Sequence, residues 1–547
     1  MKKIFSLILC GILCFAFLPL SACKKDEGLT LNVYNWEDYI ACEDYDMIAE
    51  FESWYEEEYG EEVTVNYSTF GTNENMYNEL KLTQKKNGDY SYDLVCPSEY
   101  MIQKMIKENM LESYETVEDQ NGDGFKEYVN IPNYTENVAP YIQNLFEKNS
   151  WDEYAVCFNW GTMGFTYNPE FVAFEDVESW SVVTKNEYAN KITIKDSVRD
   201  SYVLALGYVN GDKLLELKEN YDITSAEYNG EVHKLLNDFS NESIEKARVF
   251  LTETRKNLYG FEVDSGKQDM ASGKLWINFA WSGDAVYAMD IAEEAGTNLE
   301  YVVPKEGSNI FFDGWVMPKG ANKELAQAFL NFMYREDNAI ENLDYICYSS
   351  PIVGEDVFEY VSYNYGLTTL IETSPVPDEQ LEELEIIKVG NKYYEEVPLS
   401  LDPNYNGQST YSLTYYDEES EEIVVDEEID IFAHSVKHFF GDSIEGNGIV
   451  YTDSLNRQLV AMYPTEKTMN RCVVMEHLET EQLKKLNNMW DSVKVGYMSY
   501  KTMLIIVCVV ILIVAGMITF IILKKKGVVF ARRERHYGKL IKSERIK

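Results

Sequence analysis

The sequence predicts an α/β protein with two lobes, an acidic insertion and a membrane-spanning helix near its C-terminus. Strand and helix patterns alternate in two successive sets, an acidic tyrosine-rich stretch follows, and an uncharged run precedes a basic tail. The chain has 547 residues, which is enough for two or three hydrophobic cores. Its 45% hydrophobic content excludes a disordered protein.

The first set of elements begins soon after the N-terminal apolar run. Alternating patterns predict strands at 29–34, 63–67 and 92–96, and apolar residues at helical spacing predict helices at 44–59 and 74–85. Helices between successive strands indicate right-handed crossovers and a parallel sheet.

A second set of α/β elements follows and indicates a second lobe rather than one very wide sheet. Its predicted strands lie at 155–160, 192–194, 275–280, 301–303 and 311–317, and its predicted helices at 198–206 and 323–334.

Residues 1–23 predict a lipoprotein signal peptide. Lys2 and Lys3 precede an apolar run, and the run ends in the tetrapeptide 20–23, which resembles a bacterial lipobox. Cys23 is therefore the expected lipid anchor, with an ordinary cleaved signal as the alternative. The mature chain would begin at Cys23.

Residues 503–523 contain no charge and are long enough to cross a bilayer core of about 30 Å. The tail 524–547 carries ten Lys or Arg and two Glu. The positive-inside rule therefore predicts a transmembrane helix, a cytoplasmic tail and an ectodomain on the extracytoplasmic face of a bacterial cell membrane. A buried core helix is the alternative.

Charge and motif content exclude several functions. The formal net charge of −45 opposes nucleic-acid binding. The cysteines are scattered and form no Cys-x-x-Cys pair, which argues against a disulfide framework or structural zinc. His434 and His438 lack the intervening glutamate of a zinc protease, and no nucleophile elbow or phosphate-binding loop occurs. An enzyme is not predicted.

Aromatic and carboxylate residues recur where the predicted strands end. Asn35–Tyr39, Pro97–Tyr100, Asp196–Asp200 and Trp281–Asp284 each follow a strand, and Phe311 and Asp313 share one strand face. Ligands of open α/β sheets bind at these ends. Carboxylates interleaved with aromatic faces suit a polyamine, because rings cover its methylenes and attract its ammonium groups.

Seven segments of the sequence follow one another in a familiar order, namely 34–40, 70–80, 92–101, 158–168, 196–200, 303–318 and 347–351. Together they resemble the spermidine/putrescine-binding proteins of polyamine ABC transporters, in the bacterial extracellular solute-binding family. The resemblance covers about 29–355 and resumes more weakly at 462–493. It implies a bilobed type II periplasmic-binding-protein-like fold that closes on a polyamine and delivers it to the permease.

The resemblance also implies the ligand-binding residues. It places the aromatic walls of the site at Trp36, Tyr39, Trp281, Phe311 and Tyr348, with polar or charged contacts at Asp38, Ser98, Tyr100, Asp196, Asp200 and Asp313.

Some of these positions depart from the family pattern. Phe311 replaces a common Trp, and Asp38 replaces a usual Glu. Ser197 occupies the position at which the family has a carboxylate, and Asp196 lies one residue before that position. Asp200 could instead serve a helix capping box that begins at Ser197.

The resemblance and the composition together predict the domain boundaries. Lobe 1 comprises 24–156 and 313–355, and lobe 2 comprises 157–312 and 460–495. The stretch 356–459 is the acidic insertion, with hairpins such as the one predicted around 409–416.

Residues 119–130 have the spacing of a calcium loop, although Asn130 replaces the glutamate that ends the standard motif. Calcium is therefore a possible ligand, and an acidic turn is the alternative. No other cofactor is expected. The loop's candidate ligands are Asp119, Asn121, Asp123 and Glu127.

The alternatives to polyamine binding differ in class. One is a receptor for another small cationic metabolite, and another is a membrane-tethered sensor or scaffold that uses the basic tail. A surface hydrolase with paired carboxylates such as Asp38 and Asp313 lacks a recognisable acid–base signature.

Overall fold

The computed structural model describes residues 28–119, 122, 124–381, 384–417, 420–441, 448–452, 457–495, 508, 511, 515 and 517–519. Cys23, the signal segment and the basic tail lie outside these residues, as does most of 503–523. None of the helices in the described part is both long and apolar enough to span a bilayer.

The described residues form a mixed α/β protein, as the sequence predicts. The strands are β1 Leu29–Trp36, β2 Val63–Phe70, β3 Leu94–Val95, β4 Leu111–Glu112, β5 Thr116–Val117, β6 Glu127–Tyr128, β7 Ala155–Tyr167, β8 Ile192–Lys195, β9 Gly260–Glu262, β10 Ile277–Trp281, β11 Glu300–Val302, β12 Ser308–Pro318, β13 Thr368–Thr373, β14 Ile387–Val389, β15 Lys392–Pro398, β16 Thr410–Asp417, β17 Glu422–Asp430, β18 Phe432–His434, β19 Ile449–Tyr451 and β20 Cys472–Val473.

Helices connect most of the strands. They are α1 Met47–Tyr59, α2 Asn73–Thr83, α3 Glu99–Lys107, α4 Pro132–Asn137, α5 Pro140–Lys148, α6 Phe174–Val177, α7 Val198–Val209, α8 Gly211–Asn220, α9 Ala226–Leu236, α10 Asn241–Thr254, α11 Gly266–Ala271, α12 Ser282–Glu294, α13 Lys323–Met333, α14 Glu336–Ile346, α15 Glu355–Tyr365, α16 Lys437–Phe440, α17 Arg457–Met462, α18 Glu466–Met469 and α19 Thr480–Val495. Short 3₁₀ helices span Trp180–Thr184, Asn186–Tyr188 and Asp378–Gln380.

The main sheet has the strand order β2-β1-β3-β12-β7-β10-β8-β9. Strand β1 is parallel to β2 and β3 in one half, and β8 is parallel to β9 and β10 in the other. The long strands β7 and β12 are antiparallel to each other and join the halves. Two α/β halves are present, but one sheet of 11 strands runs through both, so the expectation that excluded a single wide sheet was wrong.

A β-bulge interrupts the pairing of the two joining strands. Asp313 pairs with Asn159 and Gly314 with Cys157, so Phe158 has no partner of its own. Bulges bend a strand and redirect its side chains. The predicted lobe boundaries at 156/157 and 312/313 fall beside this bulge, where both strands continue from one half into the other.

The stretch 356–459 forms small sheets of its own. Strands β16 and β17 pair as an antiparallel hairpin, as the alternating pattern predicts. A separate small core contains Leu367, Leu399, Ile431 and Val450. The stretch also packs on the main core, because Phe439 stacks on Trp160 of β7 with ring centroids 4.4 Å apart.

Candidate functional site

One cleft between the two halves contains all the residues that the sequence analysis assigns to the ligand. Its empty volume is about 940 Å³, counting the opening to solvent. The side chains come from the ends of β1, β3, β8 and β10, from the helices that follow, and from within β12. The predicted residues that line it are Trp36, Asp38, Tyr39, Ser98, Tyr100, Asp196, Asp200, Trp281, Phe311, Asp313 and Tyr348.

Asp313 lies at the centre of the cleft, beside the bulge, with 5% of its surface exposed. Tyr39 donates a hydrogen bond to one carboxylate oxygen at 2.9 Å, and Ser98 donates to the other at 2.6 Å. Asn73 fixes Ser98 by contacts of 3.0 Å with its hydroxyl and its backbone N–H. The carboxylate therefore has a fixed position in a rigid polar frame.

The burial of Asp313 changes its acidity. Burial raises the pKa of Asp313 from 3.8 to about 7, and repulsion from Asp200 adds to this rise. The hydrogen bonds from the Ser98 and Tyr39 hydroxyls act in the opposite direction and lower the pKa. None of the described lysines or arginines forms an ion pair with Asp313. A bound cation would supply the missing opposite charge.

Two further buried carboxylates lie next to Asp313. Burial raises the pKa of Glu99 to about 8, although the backbone N–H groups of Phe312 and Met475 donate to it. Burial likewise raises the pKa of Asp200 to about 6. Ser197 caps helix α7 by accepting from the Asp200 N–H at 3.4 Å, which is one of the two hydrogen bonds of a capping box.

Aromatic rings form the walls around these carboxylates. Tyr39 and Tyr348 meet edge to face with centroids 4.8 Å apart, and Phe311 lies 6.3 Å from Tyr348. A Cβ on Gly283 would lie 2.1 Å from the Tyr348 ring, so only glycine at this position allows the ring its place. The aromatic walls depend on this close approach.

Two lysines, which the sequence analysis did not assign, also line the cleft. Lys195 forms ion pairs with Asp284 at 3.0 Å and Glu262 at 3.2 Å. Lys267 pairs with Asp264 at 2.9 Å and Asp38 at 3.6 Å. These contacts neutralise part of the acidic lining within the protein.

The predicted contacts Asp38 and Asp196 thus differ from Asp313. Asp38 has 65% of its side chain exposed and pairs with Lys267, and Asp196 pairs with Lys494 of α19 at 2.6 Å. Both lie in the cleft, but their charges already have partners. Charge in the sequence could not show which carboxylates would be paired.

Several other lining residues were missed as site residues, among them Glu99, Asp284 and Asn309. Asn309 is 1% exposed, and its side-chain oxygen accepts no hydrogen bond from the described residues. Its amide N–H₂ already donates to two backbone carbonyls. An unused buried acceptor at a cleft is a natural partner for an N–H donor of a ligand.

The predicted calcium loop is described only in part. The Asp119 carboxylate accepts hydrogen bonds from the backbone N–H groups of Gly122 at 2.6 Å and Gly124 at 3.0 Å. Glu127 begins strand β6, and Asn121 and Asp123 lie outside the described residues. Within the described chain, no three His, Cys, Asp or Glu side chains are grouped to hold a metal ion.

Comparison with known proteins agrees with this architecture. Residues 46–353 match the profile of the family described as bacterial extracellular solute-binding protein. The spermidine/putrescine-binding periplasmic protein of Salmonella typhimurium is 30% identical over 336 residues, which are 61% of this chain and 81% of that protein. The putrescine-binding periplasmic protein PotF of Escherichia coli is 27% identical over 353 residues, covering 61% and 82%.

A solved structure from Listeria monocytogenes, described as a spermidine/putrescine ABC transporter protein, shares the fold. Its TM-score is 0.53 at 22% identity, and the alignment covers 85% of this chain and 99% of that one. The match extends well beyond the family segment. Because the family profile matches more than half of its residues, the chain belongs to the bacterial extracellular solute-binding protein family.

Proposed function

We propose that this protein captures a polyamine outside the bacterial cytoplasm and delivers it to the permease of an ABC transporter. The observation that carries the proposal is Asp313, a buried carboxylate without an ion-pair partner among the described residues, held by two hydroxyl donors at the centre of the cleft. A buried charge is strongly disfavoured without a counter-charge, so this site favours a cation.

The surroundings of Asp313 select an organic cation over a metal ion. Its two carboxylate oxygens already accept hydrogen bonds, and the nearest walls are the rings of Tyr39, Tyr348 and Phe311. Aromatic faces attract an ammonium group and cover the methylenes beside it, each at about 0.5–2 kcal/mol. The free oxygen of Asn309 suits an ammonium N–H. The names of the relatives support the same ligand class.

Capture would proceed by closure of the two halves. The cleft is lined from both sides, and the joining strands β7 and β12 have their bulge beside Asp313. A polyamine that contacts both halves would stabilise the closed arrangement over the open one by its difference in affinity for the two. The protein would act without chemistry on its ligand.

The membrane attachment of the chain completes the proposal. Lipid at Cys23, the apolar run 503–523, or both would tether the cleft outside the cell, and the basic tail 524–547 would lie in the cytoplasm. Tethering keeps the receptor close to its permease and raises its effective concentration there.

A thermal-shift panel on the full chain in detergent tests the ligand class. Diamines, triamines and tetraamines are compared with amino acids, sugars and inorganic cations at equal concentration. Polyamines are expected to raise the unfolding midpoint, since a ligand that binds only the folded state stabilises it. A larger rise with any other class would contradict the proposal.

A further inference from the structure

Lys195 is a cation that the protein itself has placed in the cleft. The residue ends strand β8 and is 1% exposed. Its ammonium group lies 2.8 Å from the Val263 carbonyl, 3.0 Å from Asp284 and 3.2 Å from Glu262. A primary ammonium has three N–H donors, and these three oxygens can use all of them.

The same ammonium group also faces an aromatic wall. It lies 4.0 Å from the centroid of the Trp281 ring, and Tyr348 donates to Asp284 at 2.9 Å. Carboxylates together with aromatic faces are the surroundings proposed for a ligand ammonium. Lys195 thus has, from its own chain, the contacts that a bound alkylammonium would make.

The acidic lining of the cleft is therefore divided into two groups. The lining carboxylates Asp284, Asp38, Asp264 and Asp196 have lysine partners, and Glu262, which pairs with Lys195, lies outside the lining.

The other group has no ion-pair partner among the described residues and comprises Glu37, Glu74, Glu99, Asp200 and Asp313. Asp313, Asp200 and Glu74 lie close enough to repel one another, since Asp200 raises the pKa of Asp313 and Glu74 raises that of Asp200. Ligand cations are attracted to this second group.

We propose that Lys195 fills one ammonium subsite of the cleft and thereby restricts the ligand to a diamine. The inference rests on the proposed polyamine-binding function. A triamine would have to place its third ammonium group near the lysine-paired carboxylates, where the Lys195 ammonium repels it and has already used the available acceptors. A diamine can place both cations within the unpaired group.

Calorimetry of the full chain with a diamine, 1,4-diaminobutane, and a triamine, spermidine, tests the restriction. Wild type is expected to bind the diamine at least about tenfold more tightly. Lys195→Ala is expected to shift the ratio of the two dissociation constants by at least about tenfold toward the triamine. A wild type that binds the triamine as tightly, or an unchanged ratio in folded Lys195→Ala, overturns the proposal.

Lys191 provides a matched control. Its ammonium also lies over a tryptophan, 5.2 Å from the Trp276 ring, but it bonds the Lys274 carbonyl and does not line the cleft. Lys191→Ala is expected to leave the ratio within about twofold. An equal shift in Lys191→Ala would show that any nearby lysine produces the effect and would overturn the assignment to Lys195.

Chemical rescue separates this inference from the proposed function. Propylammonium replaces the atoms that Lys195→Ala removes, so it is expected to raise the thermal midpoint of this variant more than that of wild type, whereas propan-1-ol should not. If wild type binds no polyamine, the proposed function fails, and selective rescue still supports a filled ammonium subsite. Absence of selective rescue overturns it.

Discussion

The replacement Asp313→Asn should weaken ligand binding and yet stabilise the ligand-free protein at alkaline pH. Asn keeps the shape of the carboxylate and can still bond Tyr39 and Ser98, but it carries no charge. The binding effect follows from the lost charge pair. The stability effect follows from removal of a buried charge that has no partner before ligand arrives.

The raised pKa of Asp313 sets the size of the stability effect. Its pKa rises from 3.8 to about 7 on folding, so the folded state holds a proton that the unfolded state has lost. The free energy of unfolding therefore falls as pH rises from about 4 to 7. At about 1.4 kcal/mol per pKa unit, the cost reaches up to about 4 kcal/mol above pH 7. The Asp313→Asn variant does not lose this stability, because asparagine does not ionise.

The assay compares thermal midpoints of the full-length variant and wild type without ligand at pH 8 and pH 5. The midpoint of Asp313→Asn should exceed wild type at pH 8 and gain much less at pH 5. Polyamine affinity at pH 8 should fall about 100- to 1000-fold, since loss of one partner of a buried pair costs about 3–5 kcal/mol.

Asp152 is the matched control, because it is also buried but pairs with Lys126 at 2.8 Å, outside the cleft. Asp152→Asn should lower the midpoint at pH 8 and leave binding unchanged. If Asp313→Asn lowers the midpoint equally at both pH values, or binds polyamine as tightly as wild type, then Asp313 is not an unpaired buried charge that binds the ligand.

Other predictions concern the cleft, the loop and the termini. Polyamine affinity should increase from pH 6 to pH 8 by calorimetry, because the raised pKa values of Asp313 and Glu99 leave both groups mostly protonated at pH 6 and more ionised at pH 8; a flat profile would contradict this. Trp281→Ala should weaken binding with less salt dependence than Asp313→Asn, since it removes a ring rather than a charge; equal salt slopes would count against it. Millimolar calcium should raise the thermal midpoint of wild type but not of Asp119→Asn, and no change in wild type would remove the calcium site. A tag after Lys547 should resist protease on intact cells, and cleavage would disprove the predicted topology.

The sequence predicted the strand positions and the location of the cleft better than the lengths of the joining strands. Strand ends converge at one edge of an α/β sheet, so residues such as Trp36 and Phe311 could be placed together from their position after or within a strand. Strand β7 was predicted for 155–160 but extends to Tyr167. Gly161 and Gly164 interrupt the sequence pattern of a strand after residue 160. The strand nevertheless continues, because its residues pair with β10, β11 and β12.

The charge state of the cleft could not be predicted, because it depends on pairing between distant parts of the chain. Lys195 and Asp284 are 89 residues apart in the sequence, and they come into contact only because β8 lies beside β10 in the sheet. The sequence signal for a buried ion pair was a lysine at the end of an apolar strand, but this signal does not identify the carboxylate that pairs with the lysine. Which carboxylates remain unpaired, as Asp313 does, is a property of the folded chain.

The unpaired carboxylates around Asp313 should bind a polyamine. Isothermal calorimetry of the full chain at pH 8 compares putrescine and spermidine with magnesium. We expect saturable binding of at least one polyamine with a dissociation constant of about 10 µM or lower, and no binding of magnesium. If both polyamines bind more weakly than about 1 mM, which is only about 4 kcal/mol, the cleft is not a polyamine site.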